Sequence, residues 1–375
     1  MCSETAPGHR GPLRPDRDVQ KILLSSPCAF TGEFETDGLL LAHAWPSIHD
    51  RVAFARRVSG AMGREALMLA FRTDPADQGS VVIPNYDHVG EMVSSYLSLL
   101  YGKRFDSHGA LESSGFYRLP DLRNWDASHD TALPQNRATP RPDFAIPLVL
   151  DEARRLIPLL FGKVARSAHA QAFRGAAKFY HQALRVAEQD LEVAYLHLIT
   201  AGEILAEAVP VEPDRLIDAQ TRGLLERIEE GLPDGVRVAR SIRSKLRSIR
   251  RRFVHTLCGL TDEGFFERTE SNEPFARLSS AAYPKALAAA YDLRSQYVHT
   301  GQSFGHWIAP RGTYTGEVQS GRPVVDSKRF ERVLANAPTY VGLERIIRYT
   351  LLRFAEGLGV DLTPSVIREV ADAGL

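Results

Sequence analysis

The rhythm of apolar and polar positions changes along this chain, and the changes divide it. Residues 1–19 show no apolar period; Pro, Gly and Arg dominate, which predicts a flexible lead-in. From 20 to 119, short apolar runs alternate with turn residues. Glu65–Phe71 and Ser80–Pro84 predict strands. Asp87–Tyr101 sets Val89, Met92, Val93, Tyr96 and Leu99–Leu100 on one face and predicts a helix. Phe105–Leu119 alternates again, with breaks at Gly109 and Gly115. Together these predict a small α/β domain. Residues 120–146 carry Pro120, Pro134, Pro140 and Pro142 among polar residues, the texture of a linker or long surface loop.

From 147 to 375 the period becomes helical. Leu148–Phe161, Ala165–Glu188, Leu191–Val209, Pro213–Glu230, Val236–Leu257, Tyr283–His299 and Ser327–Leu358 each predict helix. Pro210, Gly231–Leu232–Pro233 and Gly301 act as breakers. The main strand signal here is a hairpin in Trp307–Val325. The expected fold class is α+β, a small N-terminal α/β domain followed by an all-α helical bundle.

Bulk composition removes several function classes. Lys+Arg and Asp+Glu both total 46, so no global basic field collects nucleic acid, and any such binding needs a local patch. Cys2, Cys28 and Cys258 are odd in number and widely spaced, which predicts neither a disulfide framework nor a zinc knuckle and fits a reducing, cytoplasmic setting. The N-terminus lacks the apolar core of a signal peptide. No apolar run reaches the roughly 20 residues that span a bilayer, so no membrane partner is expected. No clear His/Cys/Asp/Glu cluster calls for a metal, and no cofactor is expected.

A local patch is on offer in Val236–Leu257. Val238, Ile242, Leu246, Ile249, Phe253 and Leu257 form a core-facing stripe, and between them lie Arg243, Arg247, Arg250 and Arg251 among other basic residues, with His255 near the end. No acidic residue occurs from Gly235 to Thr261. Two readings stand side by side. The arginines face phosphate, to which a planar fork of donors is suited; or their acidic partners come from other helices, Glu226, Glu229 and Glu230 being near in sequence.

The candidate reactive pair is Arg294 and His299. Tyr283–Gly301 reads as one helix, with Pro284 in the first turn and Gly301 as the stop. The Arg-x4-His spacing occurs twice, at Arg250…His255 and Arg294…His299, about as often as chance gives. On a helix, residues five apart differ by about 140° in direction, so Ser295 rather than Arg294 shares a face with His299. For the pair to meet, the arginine must wrap, the helix end must loosen at Thr300–Gly301, or a second subunit must complete the site. Glu203, among apolar neighbours of the Leu191–Val209 helix, either holds this pair or satisfies another core arginine.

The stretch Leu293-Arg-Ser-Gln-Tyr-Val-His-Thr-Gly301 resembles the signature of HEPN domains, in particular the Apea-like branch. Ala172–Tyr180, Ala194–Glu203, Pro338–Arg348 and Tyr101–Glu112 resemble the surroundings of that signature, so the resemblance covers most of 100–355. It implies a helical bundle that often forms a homodimer, cleavage of RNA without metal by Arg294 and His299, and roles in antiphage defence or stress. Ser295 departs from the Asn, His or Asp common after the arginine in active members. The alternative is a noncatalytic RNA- or protein-binding module of the same fold. The chemistry needs only these groups: a histidine, titrating near neutrality, moves the 2′-OH proton, and an arginine stabilises charge on the phosphate.

Three weaker candidates follow. Arg250…His255 either forms a second site or caps its helix. Asp106, His108 and Glu112 share one side of a strand and either bind a divalent cation or form a polar face. Phe304, His306 and Trp307 either stack on bases or fill gaps in the core.

Overall fold

The computed structural model describes residues 19–44, 63–73, 85–113, 115–123, 125, 129–245, 249–310 and 315–364. An antiparallel six-stranded sheet comes first, in the order β2-β3-β4-β1-β5-β6. The strands are β1 Val19–Ser26, β2 Phe34–Thr36, β3 Leu39–His43, β4 Glu65–Arg72, β5 Asp106–Ser113 and β6 Phe116–Tyr117. β1 lies inside the sheet, in register with β4 from Val19↔Arg72 to Ser26↔Glu65. Its run of buried residues shows a strand covered on both faces. β2 and β3 close around Asp37–Gly38, a dipeptide suited to a two-residue hairpin turn. The helix expected over Asp87–Tyr101 is α1, and Gly102 ends it in the left-handed region at φ +62°. The strand expected over Ser80–Pro84 lies outside the described residues.

The helices that follow are α2 Ile157–Leu160, α3 Ala168–Val186, α4 Leu191–Ala208, α5 Ala219–Gly231, α6 Gly235–Lys245, α7 Ile249–Gly259, α8 Glu263–Glu267, α9 Tyr283–Thr300, α10 Lys328–Asn336 and α11 Tyr340–Glu356. The class is therefore α+β, as the pattern predicts. Some boundaries differ. Leu148–Phe161 is mostly a 3-10 turn, Leu150–Leu156, before the short α2. Ser327–Leu358 splits because Pro338 breaks the first helix and the Thr339 side chain caps the second by accepting from Gly342 N. The hairpin expected in Trp307–Val325 is absent from the described part, which holds a 3-10 turn at Gly305–Ile308 and one isolated bridge, Val318↔Pro338.

The largest correction concerns 120–146. From His129 onward this stretch is built into the core: Leu133, Gln135, Asn136, Arg141, Asp143 and Ile146 are all buried. Polar composition suggested contact with water, but Arg141 and Asp143 have buried partners instead. Arg141 forks onto Glu344 of α11, with Nη1–Oε1 at 2.9 Å and Nη2–Oε2 at 2.5 Å, and also pairs with Glu270. Asp143 takes Arg345 at 2.8 and 2.9 Å, and Arg345 reaches Glu317 at 2.9 Å. Arg348 donates to the carbonyls of Leu99 and Leu100 at the end of α1. Phe144 and Ala145, both at positive φ, mark backbone strain where the segment turns over this network. A single apolar cluster runs from Ile22 to Leu362, so sheet and bundle share one core. A separate small cluster, Ile217, Leu225 and Ala239, holds the hairpin of α5 and α6.

Candidate functional site

Helix α9 forms because Ala and Leu fill its interior and Pro284 occupies the first turn, where a missing N–H costs nothing. Its buried face is Tyr283, Ala286, Leu287, Ala289, Ala290 and Leu293. Gly301, at φ +67°, stops it and donates to Tyr297 O at 2.9 Å. Helix α4 starts where the Asp190 side chain accepts from Val193 N. Gly202 lets α7 come close, since a Cβ there would lie 2.5 Å from the Phe253 ring.

Arg294 and Glu203 meet between these helices, with Nη2 3.3 Å from Oε2. The Arg294 guanidinium also stands 5.9 Å from the centre of the Tyr291 ring, one turn back. Both partners are only partly buried, so the pair orients the arginine more than it stabilises the fold. They edge an open pocket of about 610 Å³ between α3, α4, α7 and α9. Of the two roles expected for Glu203, the geometry gives the first, holding Arg294.

His299 is exposed in the last turn of α9 and does not line this pocket. Ser295 is half-buried and does not line it either. Within one chain the structure therefore does not bring Arg294 and His299 together; the helical turn of about 140° separates them. Loosening of the helix end does not resolve this. Glu192, in the first turn of α4, accepts from Ser303 Oγ at 2.6 Å and from the backbone N–H groups of Phe304 and Gly305 at 2.7 Å each. Phe304 is buried between Tyr195 and Tyr297, with ring centres 5.5 Å away on both sides, so this aromatic fills the core. The segment after the motif is pinned.

The basic stretch is corrected in the same way. Arg250 forks onto Asp292 of α9 at 2.7 and 2.9 Å. Arg251 pairs with Asp218 at 2.5 Å, and Arg243 with Glu229 and Asp214. Arg252 reaches Glu207 and the last carbonyls of α4, closing that helix. Acids from other elements thus neutralise these arginines, the second of the two readings above. Arg247 lies outside the described residues, and His255 is half-buried.

Asp106, His108 and Glu112 do not converge. Asp106 is paired with Arg104, Arg64 and Arg185. Burial alone would raise its pKa, but these guanidiniums outweigh it and hold the carboxyl at about 2. His108 bonds Ser25 Oγ at 2.7 Å and Asp121 O at 2.6 Å, and Glu112 takes Lys21 at 2.6 Å. Among the described residues no group of three or more His, Cys, Asp or Glu could hold a metal ion. Nor, among them, is any helix long and apolar enough to cross a membrane.

Four site residues escaped the pattern: Tyr291, Asp292, Glu207 and Glu192. Tyr291 and Asp292 sit on the motif helix itself, so helical neighbourhood was the signal available for them. Glu192 and Glu207 act across helices and leave no local trace. A scan against protein-family models, and searches of curated proteins and of solved structures, return no match.

Proposed function

We propose that this chain is a metal-independent endoribonuclease of HEPN type, acting in the cytoplasm as a homodimer whose reactive site takes Arg294 from one copy and His299 from the other. The observation that carries the reading is the state of the two groups in one copy. An arginine is held by Glu203 at the mouth of an open pocket, and an exposed imidazole stands on the same helix, facing elsewhere. A second copy supplies what a single chain lacks. Val298, next to His299, and Ile249, on the pocket rim, are apolar and about half exposed, the kind of surface that a partner covers.

In the reaction, one imidazole takes the proton from a ribose 2′-OH. The 2′-oxygen attacks the adjacent phosphorus while the guanidinium of Arg294 stabilises the added charge. The bond to the 5′-oxygen breaks, and that oxygen is protonated by an imidazolium. The products are a 2′,3′-cyclic phosphate and a 5′-hydroxyl. The imidazolium formed when His299 takes the 2′-OH proton returns that proton to the leaving 5′-oxygen, so the protons balance and each site needs one His299.

The test uses purified full-length chain with RNA and a chelator. Arg294→Ala and His299→Ala each abolish cleavage, and expression of the active chain is toxic while His299→Ala is not. Mixing the two inactive variants restores about one quarter of the activity, because half of the dimers are mixed and each mixed dimer has one intact site of two. Full activity in either single variant overturns the proposal. No recovery on mixing, with dimers shown to exchange, overturns the shared site. A noncatalytic binding module of the same fold is the second reading; the separation of Arg294 from His299 within a chain favours it, and salt-sensitive RNA binding without cleavage would establish it.

A further inference from the structure

The pocket beside Arg294 has a composition of its own. Its walls are apolar where Ala172, Ile204 and Ile249 contribute, and the Tyr291 ring adds an aromatic surface. At about 610 Å³ it is large enough for a small planar ligand. Apart from the Arg294 guanidinium and the Tyr291 hydroxyl, its polar groups are acceptors. Thr200 donates its hydroxyl proton to Leu196 O at 3.0 Å, which leaves the oxygen lone pairs as acceptors. Glu203 gives Oε2 to Arg294 and also takes the Tyr291 hydroxyl, whereas Glu207 gives Oε2 to Arg252 at 3.2 Å and keeps its other oxygen for a ligand. The cation in the lining is Arg294, at the edge, where it can meet a phosphate attached to that ligand.

We infer that this cavity is a nucleobase subsite that selects guanine, seating the base of the nucleotide whose phosphate meets Arg294. An apolar and aromatic wall suits the face of any base. A wall of acceptors suits an edge of donors. Guanine offers two neighbouring donors, N1–H and the 2-amino group, and the free Glu207 oxygen can accept from both. Uracil offers one N–H flanked by two carbonyl oxygens, which the carboxylates repel. Adenine and cytosine, with one amino group beside a ring acceptor, fall between. A site built from such contacts rejects a ligand that leaves its polar groups unpaired. The inference rests on the RNA reading of Arg294, but its failure is separable from that reading.

The probe is guanosine 3′-monophosphate, compared with uridine 3′-monophosphate, titrated into the full chain by calorimetry. The guanine nucleotide binds at least about tenfold tighter. Glu207→Gln, at a side chain 58% exposed and so harmless to the fold, removes most of that preference. Ile249→Trp fills the cavity and weakens both ligands. Equal binding of the two nucleotides, or no binding of either at millimolar concentration, overturns the subsite. An oligonucleotide with one internal guanine separates a free nucleotide from RNA as the natural source: competition with the mononucleotide for Tyr291 fluorescence or line-broadening assigns RNA, and its absence overturns the link to Arg294. Cleavage with no base preference sinks the subsite and leaves the nuclease standing. Guanine-selective binding without cleavage does the reverse.

Discussion

The carboxylate of Glu192 accepts the backbone N–H of Gly305 at 2.7 Å, and through that contact the first turn of α4 fixes the segment that follows His299. Ser303 Oγ and Phe304 N share the same Oε1 atom. A charged acceptor serving three donors explains why the end of the motif helix is ordered although three of its last residues are exposed.

Glu192→Ala therefore frees the 301–305 segment. We expect a stability loss of about 1–2 kcal/mol, since the bonds are charge-assisted but partly solvent-exposed. Hydrogen exchange gives the sharper readout: the Phe304 and Gly305 amides lose protection while α9 upstream of Tyr297 keeps its own. Unchanged exchange at those two amides would show that Phe304 packing alone holds the segment.

Glu203→Ala releases Arg294. The pair is 3.3 Å apart and partly exposed, so the expected cost in stability is under about 1 kcal/mol. RNA cleavage should fall by about tenfold or more because the guanidinium loses its orientation. Glu203→Gln, which keeps an acceptor oxygen, should recover part of that loss. Equal activity in all three proteins would remove Glu203 from the site.

Glu344→Ala acts on the fold. Glu344 is fully buried and serves both Arg141 and the Tyr180 hydroxyl. Its removal strands Arg141 without that charge in the interior, a change that costs about 3–5 kcal/mol. Denaturant unfolding should show the midpoint collapse. A shift below about 1 kcal/mol would mean that Glu270 alone satisfies Arg141.

Acid sensitivity should come partly from His181. The ring is 1% exposed, with Nε2 bonded to Phe105 O and Nδ1 3.1 Å from Ser95 Oγ. Burial pushes its pKa down from 6.5 to about 4. The folded state thus keeps the ring neutral while the unfolded chain takes a proton between these values. Its contribution to stability is fully present above pH 6.5 and is lost as pH falls toward 4, by about 3 kcal/mol at most. A pH series of unfolding midpoints checks this, and His181→Gln should flatten the slope in that window.

Much of the secondary structure was readable because burial imposes a period. Helix α1 matched its one-sided stripe from Asp87 to Tyr101, and α9 matched to within a residue. The β2–β3 hairpin also carried a readable sign, Asp37–Gly38, that went unused. The basic stretch misled because charge was counted along one helix, whereas Asp292 and Asp218 reach Arg250 and Arg251 from 42 and 33 residues away. Residues 129–146 misled for the opposite reason: polarity there answers buried charge rather than water. The motif gave a helix and a pair of residues, but helical geometry itself turns that pair apart.

Arg141 meets Glu344 across 203 residues of sequence, and Asp143 meets Arg345 across 202. During synthesis, then, the 129–146 segment must wait: its buried charges stay unanswered until the last long helix has emerged from the ribosome. A fragment beginning at residue 147 would carry Arg345 without Asp143 and Glu344 without Arg141, so transplanting the motif-bearing helices into another protein requires taking residues 129–146 along with them.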